Sequence, residues 1–377
     1  MKTLFKIMIS AGMFAALMLA GCGEEGSAPT EPPVQVPSGA PTAVSPISTD
    51  ALLNPTLVWH PATGMTGAVT YDVYFGTAAA PPLVEQGSID TVFAVGPLNV
   101  NTRYYWAISA HDDATTKKSA TFSFTTRSTM AKYPMTVGNR WEYRHETSVS
   151  NQSFSLHSTL YYLMEVTGVE TSWPTQPAFG QKMVSADFEN TRFDSSKTVY
   201  AQLGDGLYVL AHEGLSGPVP ASAMDQMTCR FNGIEYASVN DLLKTFTDDG
   251  TTFTKRPDEL IVEDPPLKAY MYPLAVGNHW VFRDSDPFRV EKTVSAYEII
   301  TVPAGEFGCF VIDRTYDKDN DGQPDTDVSY QDYVAEQGLV KRTVFLEDVE
   351  FVNPGTGVVI IADVYDEYEL LSHTLQP

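Results

Sequence analysis

The sequence predicts an all-β fold, and three observations carry that prediction. Apolar and polar residues alternate in short runs, as in Val69, Tyr71, Val73, Phe75 and in Tyr104, Trp106, Ile108, Ala110, which is the spacing of half-buried strands. The runs are rich in β-branched and aromatic residues and are broken by Pro, Gly, Asn and Asp. Stretches with helical period are scarce, which disfavours a parallel sheet with crossover helices. The expected architecture is an immunoglobulin-like sandwich followed by a larger antiparallel β-domain of two similar halves.

The elements are taken in chain order. The N-terminus reads "MKTLFKIMISAGMFAALMLAGC", with Lys2 and Lys6 ahead of an apolar run from Ile7 to Leu19. About 20 apolar residues are needed to span a bilayer, so residues 1–21 are expected to be a secretory signal rather than an anchor. Leu19-Ala20-Gly21-Cys22 resembles the lipobox of bacterial lipoproteins. The resemblance implies cleavage before Cys22, a diacylglyceryl group on its thiol and an acyl chain on its new N-terminus. It also implies that the membrane is a partner through this anchor. More than one acyl chain gives stable rather than marginal anchoring. Gly23 lacks the aspartate that retains enteric lipoproteins at the inner membrane, so the resemblance leans towards the outer membrane within the cell envelope. Residues 22–40 hold Pro, Gly, Ser and Glu with few large apolar groups; they are expected to be a disordered tether, extending about 3.1 Å per residue.

The chain carries 24 basic and 47 acidic residues, a net charge of −23. Removing residues 1–21 deletes two lysines and no acids, leaving 22 − 47 = −25. That balance excludes nucleic acid as a partner and disfavours docking on anionic lipid by charge. It suits a solubilised envelope surface, and some of the acids could serve a cation.

Residues 41–128 carry strand signals at "TLVWH" (56–60), "VTYDVYFG" (69–76), "TRYYWAISAH" (102–111) and "ATFSFTT" (120–126). The stretch resembles a fibronectin type III domain: Trp59 stands in the second strand, and "LNVNTRY" (98–104) matches that family's Leu-x-x-x-Thr-x-Tyr corner. The resemblance implies a sandwich in which the Tyr104 hydroxyl bonds back to the backbone. Trp59, Tyr104 and Trp106 are expected in its core. Such domains recur as inert spacers, so the resemblance assigns no activity.

Residues 129–377 contain a duplication. "YPMTVGNRWEYR" (133–144) returns as "YPLAVGNHWVFR" (272–283), identical at seven of twelve positions. "PAFG" (177–180) and "GDGLYVL" (204–210) have counterparts, in the same order, in "PAGEFG" (303–308) and "EQGLVKR" (336–342). The expectation is two halves, about 129–212 and 267–377, around an insertion at 213–266. Gly138-Asn139 and Gly277-Asn278 read as turns feeding aromatic strands, with Trp141 and Trp280 in the core. Inside the insertion, "FNGIEY" and "FTDDGTTF" read as hairpins, and "SVNDLLKTF" as a short helix capped by Ser238. The repeated motifs resemble a group of uncharacterised bacterial lipoprotein domains to which no chemistry is assigned.

The sharpest chemical signal is "DKDNDGQPDTD", residues 317–327. Asp317, Asp319 and Asp321 stand at alternate positions before Gly322, a spacing that turns carboxylates around one hard cation. Gln323, Asp325 and Asp327 complete the expected oxygen set for a weak Ca2+ site. The loop resembles Asp-x-Asp-x-Asp-Gly calcium loops, with Val328 where an EF-hand places a bidentate Glu. Cys229 and Cys309 are expected either to pair as a disulfide in an oxidising compartment or to pack as two buried thiols. No His-Glu-x-x-His, Cys-x-x-Cys, Gly-x-Ser-x-Gly or phosphate-cradling glycine loop occurs, so no catalytic residue is assigned. The expected function is a non-enzymatic, lipid-anchored envelope protein acting as a structural or interaction module towards an envelope protein or glycan. Two alternatives stay open: a carrier of a hydrophobic ligand in a curved sheet, and a glycan-active enzyme.

Overall fold

The computed structural model describes residues 36–175, 177–186, 192–213, 227–247, 260–284, 288–352 and 356–376. The expected signal, acylated Cys22 and most of the tether lie outside these residues. The fold is all-β: among the described residues a single helix, α1 (Val239–Thr247), interrupts the strands.

The N-terminal sandwich has two sheets. Strands β1 (Thr42–Ser45), β2 (Thr56–His60) and β5 (Val92–Ala94) form one; β3 (Thr70–Gly76), β4 (Leu83–Ser88), β6 (Arg103–His111), β7 (Thr116–Lys118) and β8 (Phe122–Thr125) form the other. Leu57, Trp59, Tyr71, Val73, Trp106, Ile108 and Phe124 fill the space between them. Trp59 packs edge-on to Tyr71 at 5.7 Å, and the Trp106 indole donates to the Pro46 carbonyl at 3.2 Å. The Tyr104 hydroxyl accepts the Asn99 amide at 3.2 Å, which closes the corner before β6.

The larger domain is a twelve-strand antiparallel meander, and the duplication organises it. The first half comprises β9 (Arg140–Ser150), β10 (Ser155–Val169), β11 (Ala178–Ala186), β12 (Arg192–Gln202), β13 (Gly206–Glu213) and β16 (Leu260–Met271). The second comprises β17 (His279–Arg283), β18 (Arg289–Val302), β19 (Gly305–Asp317), β20 (Val328–Ala335), β21 (Gly338–Val352) and β22 (Val359–Thr374). Each repeated motif enters the first strand of its half, and the later matches lead into β11 and β19 and into β13 and β21. The turns are equivalent bond by bond. Gly138 and Gly277 donate to Val166 and Val294 carbonyls at 2.8 Å each, and those residues donate back to Asn139 and Asn278. Gly138 and Gly277 have φ of 90° and 91°, a left-handed backbone that glycine adopts without steric cost.

Sequence placed β16 mostly within the insertion, but it is the sixth strand of the first half and pairs with β13. Pro265 and Pro266 hide it by breaking the strand pattern. The insertion proper contributes a small hairpin, β14 (Cys229–Phe231) and β15 (Ile234–Tyr236), followed by α1. Asn232 and Gly233 both have positive φ, 49° and 77°, as a two-residue type I′ turn requires. Ser238 caps α1 by accepting the Asp241 amide at 3.1 Å.

β22 pairs with β9 and so ladders the end of the second half to the start of the first. The equivalent junction, β16 with β17, lies at the two ends of the strand order. Because these strands are consecutive in the chain, the sheet must curl back on itself into a near-barrel. Side chains close this seam: the Trp280 indole donates to Lys268 O at 2.8 Å and Lys292 Nζ to Ala269 O at 3.1 Å. Pro265 and Pro266 have no N–H to offer a ladder there. The sandwich packs against one end of the barrel, where the Tyr297 hydroxyl donates to Leu98 O at 2.8 Å and Arg127 faces Glu336 at 3.9 Å.

Candidate functional site

Period-two alternation decides which side chains the barrel strands turn inward. On β9 the inward face carries Trp141, Tyr143, His145, Thr147 and Val149; on β20 it carries Val328, Tyr330, Asp332 and Val334. Most inward positions are apolar and merge into one core. Two adjacent rows are not. One row runs in register through Lys292, Arg314, Tyr330, Val344, Asp366 and Thr147. The next runs through Ile312, Asp332, Arg342, Tyr368 and His145. A polar belt therefore crosses six neighbouring strands inside the barrel.

Asp332 is the hub of the belt. It is fully buried, accepts Arg342 Nε at 2.7 Å and the Tyr330 hydroxyl at 3.2 Å, and lies 3.6 Å from Arg314 Nη2. Burial opposes its ionisation, but the Arg342 and Arg314 guanidiniums outweigh that and hold the carboxyl below its usual range. Burial lifts the Tyr330 phenol well above its usual value. Arg314 stacks 4.0 Å over the Tyr330 ring and Lys292 lies 4.0 Å over Phe282, which lets aromatic faces share the buried positive charge. Further along, His145 Nε2 meets Asp366 at 2.6 Å, Thr147 donates to the same carboxylate at 2.7 Å, and the imidazole stacks on Tyr368 at 4.1 Å. At the near end, α1 covers the core: the Phe246 carbonyl accepts the Tyr316 hydroxyl at 3.0 Å and Arg314 at 3.5 Å. These groups bind one another. Sequence reasoning missed them because their meeting depends on strand register; the usable signal was their parity with the apolar inward positions.

The acidic loop joins β19 to β20. Asp317, Asp319 and Asp321 each offer a carboxylate oxygen within 4.8 Å of the others. Asp317 is buried and oriented from below, accepting the Asp321 and Gly322 amides at 2.9 Å each. Asp319 and Asp321 are exposed. The structure divides the expected ligand set. Asp325 and Asp327 turn to the Lys318 ammonium, at 3.6 and 3.0 Å, because a resident cation neutralises them without an ion. Asn232 of the β14–β15 turn also binds Asp327, at 2.5 Å. Gln323 lies in the loop and its amide donates to Asp321 at 2.7 Å.

Of the two alternatives for the cysteines, the structure has the second: Cys229 and Cys309 are separate, buried thiols. Cys229 donates to Ser238 O and Cys309 to Phe307 O, both at 3.7 Å, so each is held by its own surroundings. Burial pushes the Cys229 thiol up to about 12 and Cys309 in the same direction. Trp59, Tyr104, Trp106, Trp141 and Trp280 are all buried. Trp141 Nε1 donates to Gln337 O at 2.6 Å.

No protein-family model matches this sequence, and no curated protein matches it. Two crystal structures are similar at low level. One, provisionally named an exported protein with a YmcC-like fold, from Bacteroides fragilis, is 12% identical, covers 65% of this chain and 99% of its own, and has a TM-score of 0.29. The other, provisionally named a lipoprotein, from Parabacteroides distasonis, is also 12% identical, covers 66% and 100%, and has a TM-score of 0.26. Likeness at these scores decides neither fold nor function.

Proposed function

We propose that this chain is a lipid-anchored cell-envelope protein without catalytic activity, in which a fibronectin-type sandwich acts as spacer and the barrel as a structural or interaction module. The observation that carries this reading is the belt inside the barrel. Its acids, bases and phenols are buried and pair largely with one another, and bulky Trp141, Tyr143, Phe310 and Tyr330 fill the same interior. That filling weighs against the carrier alternative. The lipobox at Leu19–Cys22 supports the anchor, and Gly23 supports the outer membrane. The partner is an envelope protein or glycan. Purified protein, residues 23–377, assayed on peptidoglycan and polysaccharide arrays should bind without hydrolysis; any specific turnover would sink this reading.

Calcium belongs to the same proposal. Asp317, Asp319 and Asp321 fit a hard cation, since three carboxylates this close repel one another without one. With Asp325 and Asp327 held by Lys318, the site is expected to bind in the range of about 10⁻⁴–10⁻³ M found for extracellular modules. Native mass spectrometry in calcium and then in EDTA should show one removable calcium, lost in Asp317→Asn. An unchanged mass at several millimolar calcium would make the loop an ordinary acidic turn.

A further inference from the structure

The outer face of the larger sandwich sheet carries polar groups that, unlike those of the barrel belt, do not pair with one another. Core and outer residues alternate along its strands: Tyr71, Val73, Tyr104, Trp106 and Ile108 lie between the sheets, and Tyr74 and Tyr105 stand on the other side. Lys118 Nζ of β7 lies 4.1 Å over the Tyr74 ring of β3, and the Arg103 guanidinium of β6 lies 5.2 Å over the Tyr105 ring. β6 runs between β3 and β7, so Lys118 crosses it to reach Tyr74. The residues of β6 beneath that crossing, Ala107 and Ser109, are small and only 1 and 4% exposed. The two cation–ring pairs are neighbours, since Ala107 stands opposite Tyr74 and Gly76 opposite Tyr105.

Neither cation meets a carboxylate among the described residues; Arg103 donates to the Ser123 hydroxyl at 3.0 Å. In the barrel, by contrast, Arg144, Arg230, Arg289, Lys341 and Arg342 each have a carboxylate at 2.5 to 2.7 Å. The acid on the sandwich face is already engaged: Asp72 is buried, accepts the Gly87 amide at 3.0 Å and faces His111 Nε2 at 2.9 Å. The Tyr74 and Tyr105 phenols have no hydrogen-bond partner among the described residues. In a chain of 24 basic and 47 acidic residues, two cations without local acids draw an anion. Two are well short of the roughly 4–8 that hold an anionic lipid surface, and of the roughly 6–10 phosphate contacts of a nucleic-acid binder. A protein partner needs an apolar centre, and between the two rings lie only Gly76 and Ala107. A flat face of rings, phenols and cations suits sugar hydroxyls together with carboxylates.

We propose that Tyr74, Tyr105, Arg103 and Lys118 form a binding face for an acidic polysaccharide, the two cations taking its carboxylates and the two phenols its hydroxyls. This rests on the reading of an envelope glycan as partner, names that glycan as acidic, and sets the contact on the sandwich rather than the barrel.

The test is affinity electrophoresis of residues 23–377 through gels holding polygalacturonate or its fully methyl-esterified form. EDTA is present, so that no calcium bridges the polysaccharide to the acidic loop. The expected result is retardation by polygalacturonate and not by its ester, weakening as salt rises. Arg103→Gln/Lys118→Gln should lower the affinity at least about tenfold. Lys132→Gln/Arg140→Gln, which removes the same charge from exposed positions outside the sandwich, should leave it unchanged. Tyr74→Phe/Tyr105→Phe keeps both rings and should weaken binding about threefold. No retardation by polygalacturonate, equal loss in the two charge variants, or oligodeoxythymidine bound as tightly would overturn the proposal. A chain that ignores polygalacturonate but binds another polysaccharide would overturn it and leave the glycan partner standing; one that binds no polysaccharide would overturn both.

Discussion

Asp332→Ala would leave Arg342 and Arg314 facing a buried space where their shared carboxylate had been. The aspartate accepts a charge-assisted bond from Arg342 at 2.7 Å and a second bond from Tyr330 at 3.2 Å, with no exposure to water. Bonds to charged groups contribute about 1.5–3 kcal/mol each, and breaking a buried pair from one side costs about 3–5 kcal/mol. The midpoint of thermal unfolding should fall by roughly 10 °C for a domain of this size. Urea unfolding followed by tryptophan fluorescence should show a lower midpoint with unchanged slope. The deciding control is Asp332→Leu/Arg342→Met, which removes both partners and fills the space with apolar atoms. It should recover at least half of the loss, because the penalty lies in the orphaned charge and not in the missing attraction. If the single variant loses under about 1 kcal/mol, or the double is no better than the single, the belt is not the coupled network described above.

Three further outcomes follow from other parts of the molecule. Burial raises the Glu336 carboxyl against the pull of Arg127 and of the Leu53 and Asn54 donors. The folded state therefore binds a proton more readily than the unfolded one, and stability should rise as pH falls from neutral towards the carboxylate range. Glu336→Gln should flatten that rise, measured as urea midpoints from pH 7 to 5. Asp332 has the opposite sign: its contribution is complete above about pH 4 and is lost as pH falls through its depressed value. Neither Cys229 nor Cys309 should react with a thiol reagent until the chain is unfolded, whereupon two thiols should titrate in the protein of residues 23–377, which lacks Cys22; a single mass loss of two hydrogens would restore the disulfide. Gly308→Ala would set a Cβ 1.9 Å from the Tyr297 hydroxyl, which is itself tied to Leu98. It should loosen the sandwich from the barrel and speed proteolysis near Arg127, while Gly357→Ala, with no heavy atom near its added Cβ, should leave cleavage there unchanged.

Local pattern determined a good deal by itself. Alternation marked β3 and β6, because a strand with one buried face must repeat every two residues. Gly138-Asn139 and Gly277-Asn278 announced two equivalent turns, since only certain residues tolerate the backbone that both adopt. Asn232-Gly233 and Ser238 placed a hairpin and a helix start by the same local logic. The spacing of Asp317, Asp319 and Asp321 brought three carboxylates together within a single loop.

Tertiary structure decided whatever depended on distant partners. Whether Asp325 and Asp327 faced an ion or Lys318 turned on how the loop folded back, and spacing along the chain does not record that. Cys229 and Cys309 remained apart because each was enclosed by its own strand's neighbours. Asp332, Arg342, Tyr368 and His145 became one belt only when the register of four strands, drawn from both halves of the duplication, set them side by side. Sequence determines which residues a strand can bury; which of them meet is settled by pairing across the sheet, where a shift of one residue would turn every one of them outward.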